Sequence, residues 1–405
     1  MRILFLHKNF PAQFRHLAAA MGQDLKHTVV FGTARAEGEI EGVVKGLFRE
    51  KLGANSQTTF ANRSNEEAIK TGQDAYRVVD KFRRMNFVPD LIYGHSGWGP
   101  TLFMKDIFPN ARLVGYFEWY YRARSPLYEF EPDTPLNLPA TFQARTRNVP
   151  ILTDLYACDA GLCPTQWQHD QFPGEFDSKL TVRHDGVNTD FFAPWPHGKK
   201  KLVLPRIKLD LSEAKEIVTY VARGMEPVRG FPQFMRMLAI LQKRRPHCHA
   251  VIVGRDRVAY GQPHPDGKGF KKAMLEECDL DLSRVHFTGL LPYPEYREVL
   301  QASSAHVYLT WPFVLSWSTI EAMSTGCLVV GSHTEPVREL IRDRENGLLV
   351  DFFKPEKIAD RVEEALANPD EMIRLREAAR ATALDHYALK DLLPKHIAWL
   401  EGILG

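Results

Sequence analysis

The 405-residue chain contains no apolar run approaching the roughly 20 residues that a membrane-spanning helix needs. Its opening stretch, MRILFLHKNF, turns polar too soon for the apolar core of a secretion signal, which predicts no leader. The five cysteines (Cys158, Cys163, Cys248, Cys278 and Cys327) form no C-x-x-C pair and no Cys/His cluster with zinc spacing. Odd in number and mostly set in apolar runs, they predict reduced thiols, no metal and a cytoplasmic protein. Net charge is only +2, so there is no electrostatic case for nucleic acid. The glycines of a dinucleotide fingerprint are absent, which argues against a nicotinamide site. None of this excludes peripheral attachment at the inner face of a membrane, because a surface helix can lie on lipid without an extreme composition.

What is present reads as a globular protein, with 44% hydrophobic and 25% charged residues. The length exceeds what one core usually serves, so two domains are expected. The first half alternates short apolar strands, such as RILFLH, HTVVFG, LIYGHS and RLVGYFE, with helical patterns such as AQFRHLAAAM and NEEAIKTGQDAYRVVDKFRRM. The stretch APWPHGKKK reads as a linker, and the alternation then restarts with EIVTYVAR, HAVIVGRD, VHFTGL, AHVYLT, CLVVGSH and GLLVD. Strand–helix alternation with uniformly apolar strands implies parallel sheets covered on both faces. The α/β architecture expected is therefore two doubly wound, Rossmann-like domains facing a central cleft, with ligands at the carboxyl ends of the strands. The divisions expected are 1–195, 202–385 and a final helix within 386–405 that packs back on the first domain. The aromatic, proline-rich segment 119–150 does not read as an ordinary short connection, and long loops inside compact domains are usually functional.

Several strand ends carry polar groups. His95 ends one strand and Glu118 the next, where a carboxylate and an imidazole could meet sugar hydroxyls or act as acid and base. A salt bridge from Glu118 to Arg122 or Arg124 would be the purely structural explanation. In YVARGMEPVRGF, Arg223 sits at a strand end and Arg229 at an expected helix N-terminus, a pair suited to an intervening diphosphate. In WPFVLSWSTIEAMSTG, Ser318 and Glu321 have the Ser-x-x-Glu spacing of a capping box at a helix start. The same carboxylate could instead accept from a vicinal diol, with phosphate at the helix N-terminus. Phosphate plus ribose describes a nucleotide.

The second-half motifs YVARGMEPVRGF, AVIVGRD, VHFTGLLPYPEYREVLQASSAHVYLT, IEAMSTGCLVVGSHTEPVRELI and ENGLLV together resemble a retaining glycosyltransferase of family 4, with the GT-B fold. RILFLHKNFPAQFRHLA, DAGLCPTQWQHDQFP and VRHDGVNTDFFAP are similar to the acceptor-side domain of that family, in a bacterial subgroup with YFEWYYR-type segments. The resemblance implies that Arg223 and Arg229 hold the donor diphosphate and that Glu321 binds the ribose. It places Phe287, Thr288 and Gly289 by the base, and Ala12 and Gln13, after Pro11, near the donor phosphates and sugar. Ser316, Trp317 and Ser318 fall where the donor sugar is gripped. Glu118, His95 and Arg229 are the expected catalytic groups.

Two departures stand out. The first glutamate of the family's pair would fall at Phe313, or at Trp311 with two residues inserted, and neither is an acid. Glu118 also stands where the family often has histidine. The resemblance implies transfer of a hexose from a nucleoside-diphosphate sugar, UDP before GDP, to a saccharide, lipid-linked glycan or protein. Retention at the anomeric carbon is expected, with no cofactor beyond the co-substrate. A non-catalytic nucleotide-sugar binder and a nucleotide-sugar epimerase are the rival readings.

Overall fold

The computed structural model describes residues 1–49, 53–132 and 138–405. It divides into two compact units, one of residues 1–185 with 390–405 and one of residues 186–389.

The first unit is built on seven strands: β1 (Arg2–Leu6), β2 (Thr28–Thr33), β3 (Val43–Leu47), β4 (Leu91–His95), β5 (Arg112–Tyr116), β6 (Ala160–Cys163) and β7 (Leu180–Val182). All pairings are parallel and the order is β3-β2-β1-β4-β5-β6-β7. The order reverses between β1 and β4, which opens a binding position at their carboxyl ends. The core is apolar on both faces of the sheet. Leu4, Leu6, Ile92 and Leu113 pack on one side and Ile3, Phe5, Tyr93 and Val114 on the other. The helix Leu389–Gly402 returns to this unit and sets Leu393, Ile397, Leu400 and Ile403 against the second face. Strand β3 has no counterpart in the sequence reading. It is an edge strand with Val44 and Leu47 exposed, so no buried apolar run betrays it.

The second unit carries a short antiparallel hairpin, β8 (Leu202–Leu204) and β9 (Leu209–Leu211), and then a parallel sheet. The sheet strands are β10 (Glu216–Gly224), β11 (Cys248–Arg255), β12 (Val285–Gly289), β13 (Ala305–Tyr308), β14 (Val329–Ser332) and β15 (Leu348–Val350). Their order, β12-β11-β10-β13-β14-β15, reverses between β10 and β13. The division at Asp185/Gly186 lies earlier than the composition of the linker suggests. Val187 and Phe192, which precede that linker, are buried in the core of the second unit with Tyr296, Leu300 and Met323.

Two further differences concern the aromatic segment. Residues 133–137 of it lie outside the described residues. Its last part is not a loop, because Leu138–Ala157 form one helix that tolerates Pro150 in its interior. Among the described residues, no helix is long and apolar enough to cross a membrane.

Candidate functional site

In the first unit the switch between β1 and β4 gathers three of the expected residues. Gln13 Nε2 donates to Glu118 Oε1 at 3.1 Å. His95 Nε2 lies 3.6 Å from Glu118 Oε2, in range for an ion pair but long for a hydrogen bond. His95 is 3% exposed, and its ring stacks on Trp98 at 4.3 Å and meets the edge of His7 at 4.9 Å. Its Nδ1 lies 2.8 Å from the Ser96 carbonyl. A carbonyl only accepts, so Nδ1 carries the proton and Nε2 is the atom turned to the carboxylate. Ala12, which precedes Gln13, takes a left-handed φ of 48°, a strained conformation for a residue with a Cβ.

The salt bridge considered for Glu118 does not form with Arg122, whose guanidinium donates to the carbonyls of Asp170, Gln171 and Phe172. Behind His95 stands a residue that sequence reasoning missed. Asp154, fully buried, accepts from Ser96 Oγ at 2.7 Å and Thr101 Oγ1 at 2.8 Å. Burial pushes its carboxyl up to about 6, against the pull of those hydroxyls. Ser96 thus ties His95, through its carbonyl, to Asp154, through its hydroxyl. Asp154 lies 59 positions beyond His95 on an ordinary-looking helix, and no local spacing could connect them.

In the second unit the two arginines are not equivalent. Arg223, near the end of β10, is exposed and makes no side-chain hydrogen bond among the described residues. Arg229 is not at the helix N-terminus. It ends a short 3-10 turn, Pro227–Arg229, and Gly230 at φ 64° caps the helix Phe231–Arg244. Arg229 is 5% exposed, and its Nη1 faces Thr310 Oγ1 and the Val314 carbonyl, both at 2.9 Å, and the Tyr308 phenol at 3.2 Å. Its guanidinium lies 4.9 Å from the ring centroid of Tyr260 and 5.9 Å from that of Phe313. Phe313, one of the two positions at which the family's first glutamate was expected, is therefore part of an aromatic pair on the arginine.

Glu226, also missed, is fully buried in the turn between the arginines. Its carboxylate accepts backbone N–H groups from Ala259, Tyr260 and Gly261 at distances of 2.7–3.3 Å. That many donors explain how a carboxylate can be fully buried.

The capping box expected at Ser318 and Glu321 is replaced by a different cap. Ser316 is the N-cap of the helix Trp317–Ser324, and its Oγ accepts from Ser318 N at 3.3 Å. Glu321 lies more than one turn inside, 7% exposed, and its Oε2 accepts from the Tyr296 phenol at 2.9 Å. Burial, and then the charge of Glu321, hold the Tyr296 phenol well above its ordinary range, so it remains a donor. Ser318 Oγ lies 2.8 Å from Ser316 Oγ, and Trp317 is half-buried beside them. At the end of β12, Phe287 sits under Lys271 Nζ at 4.2 Å, and Thr288 Oγ1 bonds the Ile252 carbonyl at 3.3 Å. Gly289, at φ 68°, has nothing within reach of an added Cβ, so the strand end is open there.

The two halves match two family models in succession. Residues 25–192 match the glycosyl transferase family 4 group and residues 205–382 match glycosyl transferases group 1. The chain is 26% identical over 219 residues to a D-inositol 3-phosphate glycosyltransferase of Streptomyces griseus, covering 50% of this chain and 45% of that protein. It thus spans under half the length of that curated relative. Among solved structures, sucrose-phosphate synthase from Thermosynechococcus elongatus superposes with a TM-score of 0.74 at 16% identity, over 100% of this chain and 99% of that one. Anabaena HepE in complex with UDP and glucose superposes with a TM-score of 0.71 at 15% identity, over 99% of each chain. The fold is GT-B, two Rossmann-like domains.

Proposed function

For a GT-B chain whose halves both match glycosyltransferase family models, we propose transfer of a sugar from a nucleoside-diphosphate sugar to a saccharide, lipid-linked glycan or protein, with retention of anomeric configuration. The observation that carries this reading is Glu321. A buried carboxylate held by a phenol stands on the helix that follows β13, whose cap Ser316 adjoins Arg229 through Tyr308. Tyr296 orients the carboxylate through Oε2, and the ribose hydroxyls are the expected ligands of the group.

Arg223 supplies a free guanidinium fork for the diphosphate and Arg229 a buried positive charge. Together they stabilise the leaving group electrostatically. Phe287, Thr288 and the open Gly289 line the place for the base. Ser316, Trp317 and Ser318 stand by the donor sugar in place of the missing acid. For the first unit the reading assigns Ala12 and Gln13 to the donor phosphates and sugar, and Glu118 with His95 to donor or acceptor hydroxyls. UDP is favoured over GDP, and a front-face reaction through an ion-pair-like state needs no enzyme nucleophile. The aromatic segment around 119–150 shapes the acceptor site. A cytoplasmic location, with the inner membrane face as a place of attachment, belongs to the same reading.

The test is a calorimetric screen of UDP, GDP, ADP and their common sugars, followed by release of the nucleoside diphosphate in the presence of acceptor panels. One nucleotide should bind, its sugar should be consumed only with acceptor, and NMR of the product should show the donor's anomeric configuration. Failure of all three nucleotides to bind overturns the reading. The place of Phe313 on Arg229 favours a second reading, a nucleotide-sugar binder without turnover. That reading predicts binding with no sugar consumed.

A further inference from the structure

Tyr308 ends β13, at the switch between β10 and β13, and is 2% exposed. Its phenol oxygen receives two hydrogen bonds, from Arg229 Nη1 at 3.2 Å and from the backbone N–H of Ser316 at 2.9 Å. Both partners are donors that have no lone pair to offer. A phenol has two lone pairs and one proton, so its accepting capacity is used and its own proton has no acceptor among the described residues. A buried donor without an acceptor is costly and uncommon in a folded protein.

The surroundings say what would accept it. On one side of the phenol is a guanidinium and on the other the N-cap of the helix Trp317–Ser324. The guanidinium charge and the helix N-terminus both favour a negative group at this point. The other oxygens on Arg229 Nη1, Thr310 Oγ1 and the Val314 carbonyl, make no hydrogen bond with the phenol among the described residues. An acceptor that suits a cation, a helix N-terminus and a phenol proton together is a phosphate oxygen.

The geometry points to Tyr308 as a direct ligand of the nucleotide diphosphate, its phenol donating to a non-bridging oxygen. This rests on the donor site proposed above and adds to it a neutral donor that neither arginine provides. The proton remains on the phenol throughout. As the bond between sugar and phosphate breaks, the diphosphate gains negative charge and the hydrogen bond from Tyr308 strengthens. Tyr308 therefore assists departure as well as binding.

The test compares wild type with Tyr308→Phe for binding of UDP, GDP and ADP and of the three matching monophosphates, with the thermal midpoint measured without nucleotide. For the nucleotide that wild type binds, Tyr308→Phe should weaken the diphosphate by roughly tenfold and leave the monophosphate within about twofold, as expected for a hydrogen bond to a charged group. Unchanged diphosphate affinity overturns the proposal and leaves the donor site standing. An equal loss of diphosphate and monophosphate, with a lowered midpoint, also overturns it, because Tyr308 would then be only a strut between Arg229 and Ser316. If wild type binds none of the three diphosphates, the donor site itself falls and the proposal with it.

Discussion

Glu226 fixes the position of Tyr260. The buried carboxylate accepts the Tyr260 N–H at 3.0 Å, and the Tyr260 ring lies 4.9 Å from the Arg229 guanidinium. The backbone bond and the aromatic contact belong to one device that holds a loop over the arginine proposed for the diphosphate.

Glu226→Gln should therefore lower stability. It exchanges charged acceptors for a neutral amide at three N–H groups, a loss of about 2 kcal/mol. In a unit of this size that corresponds to a fall of roughly 4–8 °C in the unfolding midpoint, measured by calorimetry. Tyr260→Ala keeps the Glu226 bonds, so its midpoint should stay close to wild type. A midpoint for Glu226→Gln equal to that of wild type would show that the Glu226 bonds do not hold this loop.

The ribose role of Glu321 predicts a graded series. Glu321→Ala should weaken nucleotide binding by about a hundredfold, and Tyr296→Phe by about tenfold, because the second change only frees a carboxylate that is still present. The 2′- and 3′-deoxy nucleotides separate ribose recognition from general damage. Wild type should discriminate against them and Glu321→Ala should not. Equal discrimination in both proteins would assign Glu321 to packing.

Glu118 and His95 meet in the first unit. Glu118→Gln should reduce turnover by about a hundredfold if the pair transfers or orients protons, while nucleotide Kd changes little. Gln13→Ala removes one hydrogen bond to Glu118 and should have a smaller effect in the same direction. Steady-state kinetics beside calorimetric Kd distinguish these outcomes from a loss of donor binding.

Asp154 predicts a pH dependence with a definite sign. Its folded carboxyl titrates at about 6, above the usual unfolded value near 4. The folded state thus holds the proton more tightly, and this group's contribution to stability falls as pH rises from about 4 to about 6. Above that window the penalty is constant at about 3 kcal/mol. The stability of Asp154→Asn relative to wild type should accordingly increase across the window and then level off, as followed by urea unfolding at each pH. A difference that does not change with pH would show that Asp154 titrates normally.

Much of the architecture was legible because burial leaves a local trace. The strands of both sheets are covered on both faces, so RILFLH or HAVIVGRD appears as an apolar run bounded by turns. Strand β3 leaves no such trace, since Val44 and Leu47 lie exposed on it. The β8–β9 hairpin buries Leu202, Leu204 and Leu211, but its strands of three residues each are too short to display a period. The helix at 138–157 was obscured by the aromatic and proline-rich residues before it and by Pro150 inside it.

The sequence by itself determined the alternation of strands and helices, the two-domain architecture and the positions of Arg223, Glu118 and His95 near strand ends. These depend on period and on neighbours in the chain. Tertiary structure alone decided which groups meet. It moved the helix cap from Ser318 to Ser316, gave Glu321 to Tyr296, buried Arg229 while leaving Arg223 exposed, and set Asp154 behind His95. Hydrogen bonds act over about 3 Å in space whatever the separation along the chain, so partners brought together by parallel crossovers carry no spacing that a sequence could display.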